Sequence, residues 1–181
     1  MNKIKNSVKG FTLLELLVVV LIIGILAAIA LPQYKKAVWR SRAKAMLPIL
    51  KSMRTSVDVF YMVNGVYPTK FDELDITLEG YTETCSYLGP KYQEDGCKAN
   101  DYLNLFIGTG LTPGKLAIPW FQFNKGTYRG AGFSIHANGI IKCYESGIFM
   151  SEPKSFCEEV MGCTLDDSSN SVDLYYTCPD L

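Results

Sequence analysis

The sequence predicts an α+β fold. We expect a long N-terminal α-helix with a protruding apolar first half and an amphipathic second half packed on a small antiparallel β-sheet with disulfide-stapled loops. Three features of the 181-residue chain predict this: an apolar run that leads into a helical stripe, strand patterns in residues 115–145, and six cysteines beyond residue 84. The length suits one anchor helix and one compact domain.

The first element is the apolar run from Phe11 to Leu31, 21 residues that contain a single charge, Glu15. At about 1.5 Å per residue such a helix is roughly 31 Å long, which matches a bilayer core of about 30 Å. A secretory signal core is shorter, at about 7 to 15 residues. A glutamate inside a membrane span is costly, so Glu15 is predicted to have a function that a plain anchor would lack.

This amino-terminal segment resembles that of type IV pilins and pseudopilins. The resemblance rests on a basic leader and on these residues after it: Lys9-Gly10, Phe11, Glu15, Gly24, Pro32 and Tyr34. It implies that a prepilin peptidase cleaves between Gly10 and Phe11, that the new Phe11 amine is methylated, and that the chain assembles into a helical filament. It also implies that the stretch from Gly24 to Pro32 can unravel when the subunit leaves the membrane for the filament.

Glu15 has a physical reason to act in assembly. Cleavage would create a cationic amine on Phe11 at almost the same depth as the Glu15 carboxylate. In lipid each charge is costly alone and tolerable when paired. We therefore expect Glu15 of one subunit to pair with the Phe11 amine of its neighbour and so to fix the axial register. The alternative is a Glu15 side chain that only reaches back to the membrane surface.

The helix is expected to continue through residues 33–64, because apolar residues recur every three or four positions between Met46 and Tyr61. Pro48 falls inside this pattern and predicts a second bend after the one at Pro32. Gly65 suits the left-handed position that ends a helix.

The predicted organisation has three parts. Residues 1–10 form a leader peptide that is cleaved off, and residues 11–32 form a transmembrane or filament-core helix. Residues 33–181 form a globular head that includes the second half of the long helix.

The head is predicted to be a loop region to about Pro113, followed by a sheet and a cysteine-bounded tail. The loop region contains one short helical turn after Tyr67-Pro68, with Thr69 as its cap. Asn138-Gly139 is the strongest hairpin signal, and Pro119 predicts that the first strand is an edge or begins after it. The strand candidates are residues 115–123, 129–137 and 140–145, and the tail candidates are a short helix at 152–162 and a strand at 172–176.

The six cysteines all lie in the head, and an even number in an exported domain predicts three disulfides. They are Cys85, Cys97, Cys143, Cys157, Cys163 and Cys178. Six cysteines allow fifteen connectivities. We favour the sequence neighbours, which are Cys85–Cys97, Cys143–Cys157 and Cys163–Cys178.

Charge is distributed unevenly although the formal net charge is zero. No acidic residue lies between Glu15 and Asp58, and residues 35–54 carry seven Lys or Arg. From Asp58 onward there are 17 acidic and 8 basic residues, a net charge of −9. This predicts a basic segment of one subunit against the acidic head of another, and the acidic head disfavours contact with nucleic acid.

Enzyme chemistry has little support. His136 is the only histidine, no catalytic set or nucleotide-binding motif is present, and no cofactor is expected. Two acidic groups could hold calcium, but neither has an EF-hand spacing, and no metal site is expected. These groups are Asp72, Glu73 and Asp75, and Asp166, Asp167 and Asp173.

Three functions remain. The first is a subunit of an extracellular type IV pilus, with adhesion or motility as its consequence. The second is a pseudopilin of a type II secretion system in the periplasm, and the third is a membrane-anchored binding module that never polymerises. In the first, the single-pass precursor sits in the inner membrane with its head outside the cytoplasm. Its partners would be other copies of itself, the prepilin peptidase/methyltransferase and the inner-membrane assembly machinery.

Overall fold

The computed structural model describes residues 10–82, 85, 96–108, 117–147, 156–167, 169, 173–179 and 181. The chain divides into two compact units, Met1–Trp39 and Arg40–Leu181. The predicted leader residues 1–9 lie outside the described residues, as do most of the loop between Cys85 and Cys97 and residues 115–116 and 152–155.

Two helices account for the predicted long helix. α1 runs over Leu13–Ala45 and continues through Pro32, and α2 runs over Leu47–Asn64. Met46 separates them with near-helical dihedral angles (φ −84°, ψ −15°). Proline lacks an amide hydrogen and is favoured at the start of a helix, so the break between the two helices falls just before Pro48.

α2 ends as predicted at Gly65, which has φ 69° and donates its N–H to the Tyr61 carbonyl at 2.8 Å. One turn of 3₁₀ helix, Phe71–Glu73, follows in the second unit. The Thr69 hydroxyl does not provide its cap as predicted. Instead the Glu73 carboxylate accepts the backbone N–H groups of Thr69 (2.6 Å) and Lys70 (3.0 Å).

The described residues of the head form one seven-stranded antiparallel sheet. Its strands are β1 Cys97–Ala99, β2 Leu103–Phe106, β3 Trp120–Phe123, β4 Ala131–Ile135, β5 Ile141–Ser146, β6 Thr164–Leu165 and β7 Asp173–Thr177. Their order in the sheet is β1-β2-β3-β4-β5-β7-β6. The helix α2 lies against the central strand β4. All five residues of β4 are buried, so both faces of the sheet are covered at its centre.

The predicted hairpin joins β4 to β5 at Asn138-Gly139. Gly139 has φ 78°, and the His136 N–H donates to the Ile140 carbonyl at 2.9 Å. The strand before it, β3, begins directly after Pro119, which is one of the two outcomes expected for a strand pattern that contains a proline.

Two parts of the head were predicted wrongly. β1 and β2 lie in the region predicted to be loop. In place of the tail helix, the described residues 156–161 form hydrogen-bonded turns, and Gly162 with φ 75° ends them. The predicted last strand is present as β7.

Candidate functional site

The candidate assembly site lies where α1 begins. Gly10 and Phe11 precede the helix in non-helical backbone, and Phe11 is 73% exposed. Glu15 occupies the first turn. The predicted cleavage bond is thus next to the helix start, outside its hydrogen-bonded part.

Thr12 and Glu15 form a capping box at this helix start, which our sequence analysis missed. The Glu15 Oε2 atom accepts hydrogen bonds from the Thr12 backbone N–H (2.8 Å) and hydroxyl (2.7 Å). In return the Thr12 Oγ1 atom accepts the Glu15 backbone N–H at 3.2 Å. Such a box satisfies amide groups that a helix end leaves without partners. The signal was in the sequence, since a threonine stands three residues before the glutamate.

The surface of α1 is apolar and exposed. The helical residues Leu13–Asn64 include a window that is long and apolar enough to cross a membrane, and this window is not buried. Leu13 is 86% exposed. Because large apolar patches are rare on monomeric soluble proteins, this surface calls for lipid or for other protein chains.

Gly24 and Pro32, the two residues predicted to loosen the helix, both lie within α1. Apart from the neighbouring backbone of its own helix, no atom of the described chain lies within 4 Å of the Cβ that Gly24 lacks. Packing within one subunit therefore does not require a glycine there, and a role in helix flexibility stays a prediction.

In the head, three disulfides join cysteines that are neighbours in sequence, the pairs that the sequence analysis favoured. Cys85 pairs with Cys97, Cys143 with Cys157 and Cys163 with Cys178, at sequence separations of 12, 14 and 15 residues. The sulfurs of Cys143, Cys163 and Cys178 lie within 4.8 Å of one another. All three sulfurs belong to disulfides. Because metals bind the thiolate form of cysteine, this sulfur cluster is not a metal site.

A buried carboxylate, Glu145 on β5, anchors the turn after it and was not singled out from the sequence. It is fully buried. Its Oε1 atom accepts the backbone N–H groups of Phe156 and Cys157, both at 2.7 Å. Its Oε2 atom accepts the Tyr176 hydroxyl at 3.2 Å. Burial and the Glu145 charge raise the pKa of Tyr176 well above its usual range.

His136 has surroundings that suit a structural residue. Its Nε2 atom is 3.5 Å from the Ser134 hydroxyl, longer than the 2.6 to 3.2 Å typical of a base and its nucleophile. Burial lowers the pKa of His136, as does the positive charge of Lys142, while Asp166 acts in the opposite direction.

The two acidic groups considered for calcium do not form a site in the part of the chain that the structure describes. Glu73 is used to cap the 3₁₀ turn. Asp166 forms an ion pair with Lys142 at 2.8 Å and accepts the Thr177 hydroxyl at 3.2 Å.

Comparison with known proteins gives one family and a set of relatives. The family described as "Prokaryotic N-terminal methylation motif" matches residues 5–31. The type IV major pilin protein PilE of Neisseria gonorrhoeae is 34% identical over 86 residues, which is 48% of each chain. The type IV major fimbrial protein FimA of Dichelobacter nodosus is 50% identical over 54 residues, 30% of this chain and 35% of the relative.

A third relative is the fimbrial protein EcpC of Eikenella corrodens, which is 45% identical over 65 residues, 36% of this chain and 42% of the relative. The chain therefore spans about half the length, or less, of the curated relatives it matches. No solved structure matches the chain.

The matched names describe pilins and fimbrial proteins, a class of structural protein, which agrees with the expectation that this chain is not an enzyme. The matched segment is the one that carries Gly10, Phe11 and Glu15. Its apolar helix and the stapled α+β head agree with that class. In its amino-terminal segment, the chain is thus similar to type IV pilins, as the methylation motif and the pilin and fimbrial relatives both indicate.

Proposed function

We propose that this protein is a structural subunit of a type IV pilus, inserted in the inner membrane as a precursor and then assembled into an extracellular filament. The observation that carries the proposal is the methylation motif over residues 5–31, which coincides with an exposed apolar helix. The names of the pilin and fimbrial relatives favour a surface pilus over a secretion pseudopilus.

Processing would occur between Gly10 and Phe11. A protease must bind the scissile bond in an accessible, non-helical backbone, and both residues are exposed and precede α1. The capping box on Thr12 supports the proposal, because it fixes the helix start just after the bond. Removal of residues 1–10 would then leave the helix intact.

In the filament, Glu15 would pair with the methylated Phe11 amine of a neighbouring copy. Both capping bonds of Glu15 use its Oε2 atom, so the capping box is compatible with an amine that approaches Oε1. A carboxylate has about four acceptor positions, enough for both roles. The cap would also orient the carboxylate towards the helix start, where the amine of the next subunit is needed.

Two substitutions separate the two roles of Glu15. Glu15→Gln keeps an oxygen that can accept from Thr12, because glutamine also forms capping boxes, but it removes the charge. Thr12→Ala removes the capping partner and keeps the charge. If charge pairing sets the register, Glu15→Gln and Glu15→Val both lose filaments and Thr12→Ala retains them. Wild-type filament yield from Glu15→Gln would reduce Glu15 to a capping residue.

The test of the function is mass spectrometry of filaments sheared from the cell surface. A pilus subunit gives a mature mass that begins at a methylated Phe11. The same mass found only in the cell envelope indicates a pseudopilin of a type II secretion system. An intact leader in cells with an active prepilin peptidase indicates an anchored binding module and refutes the proposal.

The partners would be further copies of the chain, the prepilin peptidase/methyltransferase and the inner-membrane assembly machinery. The head would lie outside the cytoplasm, where its three disulfides are stable. Its acidic surface disfavours direct contact with nucleic acid.

A further inference from the structure

We propose that Tyr34, Lys35, Lys36 and Trp39 bind anionic phospholipid headgroups while the subunit is still in the membrane. We call these four residues the interfacial segment. All four lie in α1 and in the first compact unit. The inference rests on the membrane-anchored precursor of the proposed function.

The first argument is depth. The apolar run ends at Leu31, and α1 continues without a break through Pro32. At about 1.5 Å per residue, Lys35 and Lys36 follow Leu31 by about 6 and 7.5 Å. The headgroup layer on each side of a bilayer is roughly 5 to 8 Å thick. If the apolar run fills the hydrocarbon core, both ammonium groups lie at the depth of lipid phosphates.

The second argument is the aromatic pair that brackets the two lysines. Tyr34 is 68% exposed, and Trp39 is half-buried. Tyrosine and tryptophan are enriched at membrane–water interfaces because their rings are apolar and carry one polar group. A tyrosine and a tryptophan on either side of two lysines, directly after an apolar helix, are typical of the membrane–water interface.

The third argument is charge. No acidic residue lies between Glu15 and Asp58, so the sequence around both lysines carries only positive charge, which attracts phosphate. Removal of the leader would also remove Lys3, Lys5 and Lys9. Apart from the Phe11 amine, the cations of the mature anchor would then lie on the side of the head, the reverse of the usual bias in Lys and Arg. Anionic headgroups supply the compensating charge. Each lysine near an anionic surface strengthens binding to it by roughly fivefold.

The experiment uses the full mature chain reconstituted in phosphatidylcholine vesicles at low ionic strength. Small amounts of spin-labelled phosphatidylglycerol or spin-labelled phosphatidylcholine report the lipid that the protein immobilises. We expect the wild-type chain to immobilise phosphatidylglycerol in preference to phosphatidylcholine by about fivefold or more. High salt should reduce this preference.

The variant Lys35→Gln/Lys36→Gln should lower the preference to near one. The matched control is Lys51→Gln, which removes an exposed lysine of α2 in the second unit and should leave the preference unchanged. Equal immobilisation of the two lipids by the wild type, or an equal loss in Lys51→Gln, overturns the inference but not the anchor. A chain that immobilises neither lipid refutes the anchor and, with it, the inference.

Discussion

Replacing Glu145 tests directly how the head holds the turn at residues 156–161. This fully buried carboxylate accepts two backbone N–H groups at 2.7 Å, from Phe156 and Cys157, and the hydroxyl of Tyr176 at 3.2 Å. The perturbation is Glu145→Ala.

The magnitude follows from the groups that lose their acceptor. Each buried N–H left without an acceptor costs about 1 to 3 kcal/mol. Release of the buried charge from its desolvation cost offsets part of this loss. We therefore expect Glu145→Ala to lower the free energy of unfolding by about 3 kcal/mol. That is a large part of the roughly 5 to 15 kcal/mol available to a native domain.

Glu145→Gln separates hydrogen bonding from charge. Its amide oxygen can accept both N–H groups, and its amide nitrogen can donate to the Tyr176 hydroxyl. Hydrogen bonds to a neutral acceptor are weaker than those to a carboxylate, so we expect a loss of about 1 kcal/mol. The matched control is Glu79→Ala, because Glu79 is exposed.

The assay is urea unfolding of the full chain in detergent with its disulfides intact, followed by near-ultraviolet circular dichroism. The midpoint should decrease in the order Glu79→Ala, Glu145→Gln, Glu145→Ala. If Glu145→Ala stays within about 0.5 kcal/mol of Glu79→Ala, a typical surface effect, the carboxylate does not hold the turn.

Three further predictions use the same assay. Gly132→Ala should unfold the head or cost more than about 3 kcal/mol, because its Cβ would overlap the Phe121 carbonyl, and a wild-type midpoint would contradict this. Burial raises the pKa of Tyr176, so its protonated form stabilises the fold below about pH 10 and this stability is lost as the pH rises further. Tyr176→Phe should make the alkaline loss smaller, and an unchanged pH dependence would refute the assignment. Burial lowers the pKa of His136, so the free energy of unfolding should fall as the pH drops below about 6.5, and His136→Gln should remove the part of that fall that His136 contributes.

The helical part of the fold was predictable because its signals are local. The apolar run, the stripe after Met46, Pro48 and Gly65 each act through neighbours within one or two turns. The hairpin at Asn138-Gly139 was predictable for the same reason, since its turn chemistry is contained in two residues.

The strands β1 and β2 were missed because each is too short to show a strand pattern in the sequence. β1 has only three residues, which pair with β2 and form a bridge from Ala99 to Thr82. Its Cys97 is tied to Cys85. Such short segments, set among turn residues, have no periodicity long enough to distinguish a strand from a loop.

The candidate site divides in the same way. Gly10, Phe11 and Glu15 were identified from a continuous motif, whereas the role of Glu145 requires the turn at Phe156 to fold back onto β5. A lone glutamate in a strand pattern gives no indication of that contact. The capping box of Thr12 and Glu15, by contrast, has a local sequence signal, because its two residues are three positions apart.

Two of the three disulfides of the head lie at the two edges of its sheet. An inner strand is held by two neighbours, but an edge strand has one. The edge strands are β1 and β6, and a disulfide reaches each: Cys97 lies in β1, and Cys163 directly precedes β6.

The remaining disulfide, Cys143–Cys157, and Glu145 both hold the turn at residues 156–161, which lies between β5 and β6. The described part of this turn contains no strand, so it gains no ladder hydrogen bonds. Cys143–Cys157 fixes it covalently, and two residues along β5 Glu145 binds the adjacent backbone amides. Disulfides thus tie both edges of the sheet and this turn, whereas the inner strands β2, β3, β4 and β7 contain no cysteine and rely on pairing and burial.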